Sequence, residues 1–183
     1  MASDFPSLVS LACHDLRTPL ATVQGFAQTL QRLDGLEPAK QERYLGMIES
    51  ASLELAELLE LLSRAARIEG GRYEPTRREA DTLELAPEGA TGRGGTVLVD
   101  PAAVEQALAG LARAAARHGG VDVSVTVDGP AVAIEPVRSD AAPIVLGEQH
   151  KDLGAAVAVR VVRAQGGDVA LEGERLTITL PTA

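Results

Sequence analysis

The strongest constraint on the fold is a helical repeat of apolar residues that fills the first 70 residues and then stops. Apolar side chains recur at spacings of three and four along two segments, which places each set on one face of a helix. Between them, Asp34-Gly35-Leu36-Glu37-Pro38 combines a glycine helix stop with a proline typical of a helix start. The pattern predicts a helical hairpin with helices near 4–33 and 38–68. The apolar residues are first Leu16, Leu20, Val23, Ala27 and Leu30, then Tyr44, Ile48, Ala51, Leu55, Leu58 and Leu62.

Two amphipathic helices of this length have more apolar surface than one hairpin can cover by itself. Pairing with a second copy to form a four-helix bundle would bury that surface. Packing of the hairpin on the rest of its own chain is the alternative. We expect residues 1–70 to form a homodimer.

After Gly70-Gly71 the pattern becomes mixed. Residues 71–95 predict a linker with at most one short strand, at Leu83–Leu85. From residue 96 onward, β-branched segments alternate with helical ones, which predicts an α/β sandwich over 96–183 with helices on one face of a mainly antiparallel sheet. The chain as a whole is therefore α+β. The predicted elements are a strand at Thr96–Val99, a helix at Ala102–His118, strands at Val121–Val127 and Ala131–Ile134, a helix near 152–165, and strands near 168–172 and 175–180.

Composition excludes several kinds of partner. The 26 acidic residues outnumber the 17 basic ones, giving a net charge of −9 that repels nucleic-acid phosphates, and only 2% of residues are aromatic platforms for bases. Neither an apolar run of about 20 residues nor a signal-peptide pattern is visible. The single cysteine, Cys13, excludes an internal disulfide and suits a reducing compartment. We expect a soluble, cytoplasmic protein that binds neither nucleic acid nor membranes.

The residues best suited to chemistry lie in the first helix, within the segment 13–20, CHDLRTPL. An exposed imidazole such as that of His14 is a competent nucleophile at neutral pH when one ring nitrogen is unprotonated. Asp15 could accept a hydrogen bond from the other ring N–H and so fix the tautomer. Pro19 lacks an N–H, so we expect the helix to bend there. Because a proline inside a helix costs about 3 kcal/mol, its presence indicates a local shape needed for function. A surface histidine beside an ordinary kink is the alternative.

This segment resembles the H-box of the sensor histidine kinase family, which lies in its dimerisation and phosphotransfer domain. The resemblance implies that His14 is phosphorylated and exchanges its phosphoryl group with an aspartate of a response-regulator receiver domain, that Asp15 activates it, and that Thr18 positions water for dephosphorylation of the regulator. It also implies that the receiver docks around Arg17, Pro19 and Gly25. The matching residues are Phe5, Ser10, His14, Asp15, Leu16, Arg17, Thr18, Pro19, Leu20 and Gly25.

Residues 96–181 resemble the ATP-binding domain of the same family, a Bergerat-like sandwich, with its nucleotide chemistry removed. The two asparagines of the family's N-box would fall at Gly110 and Ala114, and an alanine methyl cannot replace the second, which is the Mg²⁺ ligand. The aspartate that reads adenine would fall near Arg138. The start of the N-box helix aligns with Asp100, Val104, Gln106 and Leu108.

The family's phosphate-binding glycine turn corresponds to residues 150–155, counted back from Gln165-Gly166-Gly167. Only Gly154 of its three glycines is present, and Asp152 would repel a triphosphate at a helix N-terminus whose N–H groups otherwise hold phosphates. Only about 14 residues separate Val137 from this helix, which leaves little room for a lid. We expect no cofactor bound by this chain, and Mg²⁺ only from a receiver partner.

Other candidate residues carry weaker signals. His118 and His150 lack partners at metal-ligand spacing, so we expect surface polar side chains, and Lys151 is expected to be solvated. For Cys13 we expect a half-buried core position, with redox control as the alternative. Five arginines surround the predicted linker and form either a solvated face or a docking surface for an acidic partner: Arg64, Arg67, Arg72, Arg77 and Arg78.

Three functions compete on this sequence. The first is a histidine phosphotransferase that relays a phosphoryl group between receiver aspartates without ATP. The second is an ATP-dependent autokinase with an atypical nucleotide site, although the nearby carboxylates, Asp100 and Glu105, do not lie one turn from Ala114 on its face. The third is a pseudokinase that sequesters or dephosphorylates a regulator. Relay requires His14, whereas sequestration should survive its loss.

Overall fold

The computed structural model describes residues 5–32 and 35–182, and the chain divides into two compact units, Met1–Ser63 and Arg64–Ala183. The first unit is the predicted helical hairpin. Helix α1 is Phe5–Arg32, and helix α2 is Pro38–Glu69, whose last turns belong to the second unit. Near the turn, the Phe26 and Tyr44 rings pack with centroids 5.1 Å apart. Helical periodicity therefore predicted both helices correctly.

The apolar surface of the hairpin is only partly covered within one chain. Residues of the predicted α2 face are buried or half-buried, as at Ala51, which is 6% exposed. Leu20, on the predicted apolar face of α1, is 46% exposed, on a face that the single hairpin leaves open. Three leucines of α2 are exposed to a similar or greater extent: Leu45, Leu53 and Leu59.

The second unit is an α/β sandwich built on two sheets. A two-stranded antiparallel sheet pairs β1 with β3, and a five-stranded sheet has the order β2-β4-β5-β7-β6. All pairs in the larger sheet are antiparallel except β2 with β4, so the predicted α+β class and mainly antiparallel sheet are confirmed. The elements are β1 Arg78–Asp81, α3 Thr82–Leu85, β2 Thr91–Gly94, β3 Thr96–Val99, α4 Pro101–Gly119, β4 Ser124–Gly129, β5 Ala131–Glu135, α5 Ala142–Val145, α6 Leu153–Ala164, β6 Asp168–Glu172 and β7 Arg175–Thr179.

The ends of α4 follow the signals in the sequence. The Asp100 carboxylate caps its start by accepting a hydrogen bond from the Ala103 N–H at 3.3 Å, and Pro101 occupies the first turn. Gly120 ends the helix in the left-handed region, with φ +62°. The core lies between α4, α6 and the central strands, where Val132 and Ile134 of β5 are fully buried.

The segment predicted as a linker contains regular structure. The strand predicted at Leu83–Leu85 was wrong, because the Asp81 carboxylate accepts a hydrogen bond from the Leu83 N–H at 2.8 Å and caps the short helix α3 instead. Thr82 is completely buried, and its hydroxyl donates to the Gly129 carbonyl at 2.5 Å. In residues 5–32 and 35–182, no helix has both the length and the apolar character needed to cross a membrane.

Candidate functional site

His14 lies in the middle of α1 with its side chain 78% exposed. Its Nδ1 is 3.3 Å from Oδ1 of Asp15, whose side chain is 30% exposed. When Nδ1 carries the hydrogen and donates it to this carboxylate, the lone pair of Nε2 is left free for an incoming electrophile. The predicted pairing of imidazole and carboxylate is therefore geometrically present, on a surface that a partner can reach.

The surface around His14 is open along α1. Arg17 and Thr18 are exposed, and Pro19 is buried inside a helix that continues on both sides of it. Gly25 is exposed, and a Cβ atom added there would meet nothing within 4 Å. The predicted docking residues thus lie on one accessible helix, with empty space at Gly25.

The interpretation of Cys13 as a half-buried core residue was wrong. Its side chain is exposed, because it precedes His14 on the part of α1 that the hairpin does not cover.

The positions of the N-box asparagines lie in the packed interior of the second unit. Ala114 is only 1% exposed and Gly110 is buried. A Cβ atom added at Gly110 would make an ordinary van der Waals contact, at 3.6 Å, with the carbonyl oxygen of Gly154 in the first turn of α6. Both positions therefore lie within the packed second unit.

Asp152 occupies the N-terminus of α6. The residue as a whole is 9% exposed, and its carboxylate accepts a hydrogen bond from the Ala155 N–H at 3.0 Å. The other carboxylate oxygen lies 3.2 Å from Nε2 of His118 and 3.4 Å from a guanidinium nitrogen of Arg117. The place where the family turn would hold a phosphate therefore contains the chain's own carboxylate with its cationic and hydrogen-bonding partners.

This arrangement was missed at the sequence level. His118 was expected to be a surface residue, but its side chain is only 23% exposed, because it packs at the end of α4 against Asp152. The available signal was the position of Asp152 immediately before an apolar helical segment, which is typical of an N-cap. Arg117 and His118 in the last turn of a helix are likewise a favourable placement of positive charge.

The remaining nucleotide positions also have other contacts. Arg138, near the expected adenine-reading aspartate, is exposed and forms an ion pair with Glu174 at 3.7 Å. The short stretch between Val137 and α6, which we expected to leave little room for a lid, contains α5, whose Ile144 and Val145 are buried in the core. His150 is half-buried and Lys151 is exposed. Among the residues that the structure describes, no three His, Cys, Asp or Glu side chains gather as a possible metal site.

The buried residue Gln165, at the C-terminal end of α6, contacts the segment that follows α2. Gln165 is 1% exposed, and its Oε1 accepts a hydrogen bond from the Asp100 N–H at 2.6 Å. The buried Tyr73 hydroxyl lies near both residues. Burial raises the pKa of the Tyr73 phenol, the Asp100 carboxylate raises it further, and Arg64 and Arg67 partly offset the rise.

Comparison with known proteins assigns the class of the first unit. The family described as His Kinase A (phospho-acceptor) domain matches residues 7–71. The sensor protein GtcS of Aneurinibacillus migulanus is 39% identical over 56 residues, which is 31% of this chain and 15% of GtcS. The chain therefore matches only a small part of that relative's length.

Two solved structures resemble nearly the whole chain in fold. The histidine kinase AdeS of Acinetobacter baumannii superposes with a TM-score of 0.63 at 19% identity, over 92% of this chain and 98% of AdeS. The histidine kinase ThkA, solved in complex with the response regulator protein TrrA, gives a TM-score of 0.55 at 15% identity, over 97% of this chain and 61% of that one.

Residues 7–71 are thus a phospho-acceptor domain of the kind found in two-component signalling. Together with the second unit, this domain gives an overall fold similar to that of the histidine kinases AdeS and ThkA. The family resemblance and the fold class inferred from the sequence are confirmed.

Proposed function

We propose that this chain is a histidine phosphotransfer protein of a two-component phosphorelay. In this proposal His14 accepts a phosphoryl group from the aspartyl phosphate of one receiver domain and donates it to the aspartate of another. The chain itself binds no ATP. The observation that carries the proposal is the combination of an accessible His14 with a carboxylate, that of Asp152, at the N-terminus of α6.

The chemistry at His14 needs only its own side chain and that of Asp15. With its hydrogen on Nδ1 held by the Asp15 carboxylate, Nε2 attacks the phosphorus of the aspartyl phosphate. The new N–P bond forms as the bond from phosphorus to the receiver carboxylate oxygen breaks, and the carboxylate leaves with the electron pair. Donation to a second receiver is the reverse reaction. Mg²⁺ would come with the acidic pocket of the receiver.

The absence of ATP binding is supported by three features of the second unit. The position of the Mg²⁺ ligand is a buried alanine, Ala114. Gly110 faces the first turn of α6, where a Cβ atom at this position would already lie 3.6 Å from the Gly154 carbonyl oxygen. Asp152 satisfies the α6 N-terminus and would repel a triphosphate by like charge. Each feature would weaken nucleotide binding, and together they support a chain that does not use ATP.

The partners we propose are a second copy of the chain and receiver domains. The exposed leucines of the hairpin, such as Leu53 at 62% exposure, supply an apolar surface that a second hairpin would cover. The similar fold of ThkA, which was solved with a response regulator, supports a receiver as the exchange partner. Its docking surface would include Arg17 and Gly25, next to His14.

The decisive experiment compares two phosphoryl donors on the purified full-length chain. Radiolabelled Mg–ATP is one donor, and a panel of receiver domains charged with radiolabelled aspartyl phosphate is the other. We expect label on the wild-type chain from a receiver and none from ATP. Labelling of His14 from Mg–ATP would overturn the proposal and favour the autokinase.

The matched variants are His14→Gln and His150→Gln. We expect His14→Gln to lose acceptance completely, because its amide has no nucleophilic nitrogen lone pair, while His150→Gln keeps it. Thermal unfolding with Mg–ATP at about 1 mM provides an independent measure, because a ligand at 100 times its Kd would add about 2.7 kcal/mol of stability. We expect no shift.

Dephosphorylation of the regulator is a second candidate activity, favoured by the position of Thr18. Thr18 is exposed one turn beyond His14, where its hydroxyl can orient water toward a docked receiver. We expect Thr18→Ala to lengthen the lifetime of the receiver phosphate while leaving acceptance by His14 intact. A rate of hydrolysis that the chain does not increase above that of the isolated receiver would exclude this activity.

A further inference from the structure

The stretch that leads from the end of α2 into the sandwich is held at several points. Two glycines, Gly70 and Gly71, end the helix, and the residues up to Arg77 form no regular element. A sequence of this kind ordinarily marks a flexible linker. In the structure, however, the second unit begins at Arg64, inside α2.

The helical part of the stretch contacts both core helices of its unit. The Arg64 guanidinium donates to Oε1 of Gln106 on α4 at 2.7 Å. Arg160 on α6 forms an ion pair with Glu69 at 3.2 Å, and the side chains of this pair are only 16% and 28% exposed. Ala65, between these two contacts, is completely buried. Because the ion pair is partly shielded, salt should screen it less than an exposed pair.

The non-helical part of the stretch contacts the start of α4 and the C-terminal end of α6. The Thr76 N–H donates to Oδ2 of Asp100 at 3.2 Å, and the Arg77 guanidinium donates to the carbonyl of Gln165 at 3.3 Å. The hydroxyl of Tyr73, in the same stretch, is buried near Asp100 and Gln165. These contacts follow Gly70-Gly71 directly, so the chain on each side of the glycines is attached to the same sandwich.

We propose that residues 64–77 form a fixed strap of the second unit, so that the last turns of α2 and the sandwich move as one body and no hinge operates at Gly70-Gly71. This inference goes beyond the proposed function and does not depend on it, because the strap contacts involve neither His14 nor Asp152. A consequence is that the sandwich acts as a structural extension of the end of α2 instead of a module swinging on residues 70–77.

The test is a distance distribution measured by pulsed electron spin resonance between two spin labels on the full chain. The strap pair is Glu74→Cys with Arg113→Cys, and the control pair, within the sandwich alone, is Arg113→Cys with Asp168→Cys; all three positions are exposed. Both pairs are made in a Cys13→Ser background, and excess unlabelled chain keeps one labelled copy in any dimer.

We expect the strap pair to give a single distribution as narrow as that of the control pair. A second, loosened variant, Gln106→Ala with Arg160→Ala, should broaden the strap distribution while leaving the control pair unchanged. A strap distribution broader than the control in the otherwise wild-type chain would overturn the proposal. So would a loosened variant whose strap distribution is unaltered, because the named contacts would then not be what holds it. Phosphoryl acceptance by His14, measured separately, is not altered by either result.

Discussion

The region around His14 and the region between α4 and α6 are built in opposite ways. His14 is 78% exposed, and a Cβ added at Gly25 would meet nothing within 4 Å. In contrast, Ala114 is 1% exposed, and a Cβ added at Gly110 would already lie 3.6 Å from the carbonyl oxygen of Gly154 on α6. The surface around His14 is open to solvent, whereas the region between α4 and α6 is closely packed.

The interior of the second unit is well packed, with many side chains of α4 and α6 buried. Its small residues bring the helices into contact, and burial of apolar surface stabilises such a contact by about 25 cal/mol per Å². The charge of Asp152 is compensated inside the fold by a backbone N–H and two basic side chains. A nucleotide would therefore have to displace packing and a helix cap, whereas a receiver domain approaching His14 displaces only water.

The largest effect on this comparison is expected from Ala114→Asn, which reintroduces the residue type of the N-box. Ala114 is 1% exposed, so a larger polar side chain would be buried there and would crowd its neighbours; we therefore expect a loss of about 2–4 kcal/mol in the free energy of unfolding and no gain of ATP binding. Urea unfolding and thermal unfolding with Mg–ATP measure the two quantities.

The matched control is Arg113→Asn, one residue earlier on α4 and exposed, with an expected change within about 0.5 kcal/mol. Stabilisation of Ala114→Asn by Mg–ATP would show that the closed region can reopen, and would remove the contrast between the two regions.

The next effect is expected from Asp152→Ala, which removes the cap of α6. We expect a loss of about 1–2 kcal/mol, because the Ala155 N–H loses its acceptor, while Asp152→Asn keeps a capping oxygen and loses about 1 kcal/mol or less. Asp122→Ala, at an exposed aspartate, serves as the control. Equal unfolding free energies for Asp152→Ala and the control would mean that the carboxylate does not stabilise the helix end.

Sequence reasoning succeeded where the structure follows from local patterns. Helices α1, α2, α4 and α6 have apolar periodicity and clear end signals, and β4 to β7 lie close to the strands predicted from residue 121 onward. His14 and Asp15 are adjacent in sequence on one helix, so their proximity needed no knowledge of the tertiary fold.

It failed where pairing or packing between distant segments decides the outcome. Strand β2 is Thr91-Gly92-Arg93-Gly94, which has no apolar pattern and exists through its parallel pairing with β4. Gly92 adopts φ +121° in close approach to the Val127 backbone, a conformation that only the fold explains. The contact of His118 with Asp152 joins residues 34 apart, and spacing rules for metal ligands did not address it.

A smaller effect, with opposite sign, is expected in the open region from Gly25→Ala. The added methyl has free space, and alanine restricts the unfolded chain, so we expect the hairpin to gain about 0.5–1 kcal/mol. Gly46→Ala on α2 is a matched control, because that glycine is also exposed with nothing within 4 Å. We expect both variants to be stabilised equally and only Gly25→Ala to slow phosphoryl transfer from a receiver. Equal transfer rates would place the docking surface elsewhere.

The smallest effect on the free energy of unfolding at neutral pH is expected from Tyr73→Phe. This variant tests the packing of the second unit through the titration of a buried hydroxyl. Burial and the Asp100 carboxylate raise the pKa of the Tyr73 phenol above its usual value near 10. The folded state therefore holds the phenolic proton more tightly than the unfolded chain does. The resulting stability is fully present below about pH 10 and is lost as the pH rises through the folded-state pKa. We expect wild-type and variant stabilities to differ little at neutral pH and the variant to become the more stable protein in alkali, because only the wild-type chain bears this loss. Urea unfolding of both proteins from about pH 8 to about pH 11 gives the difference curve. A difference that stays constant over this range would mean that the Tyr73 hydroxyl is accessible to water, and that residues 64–77 are less firmly packed than their contacts indicate.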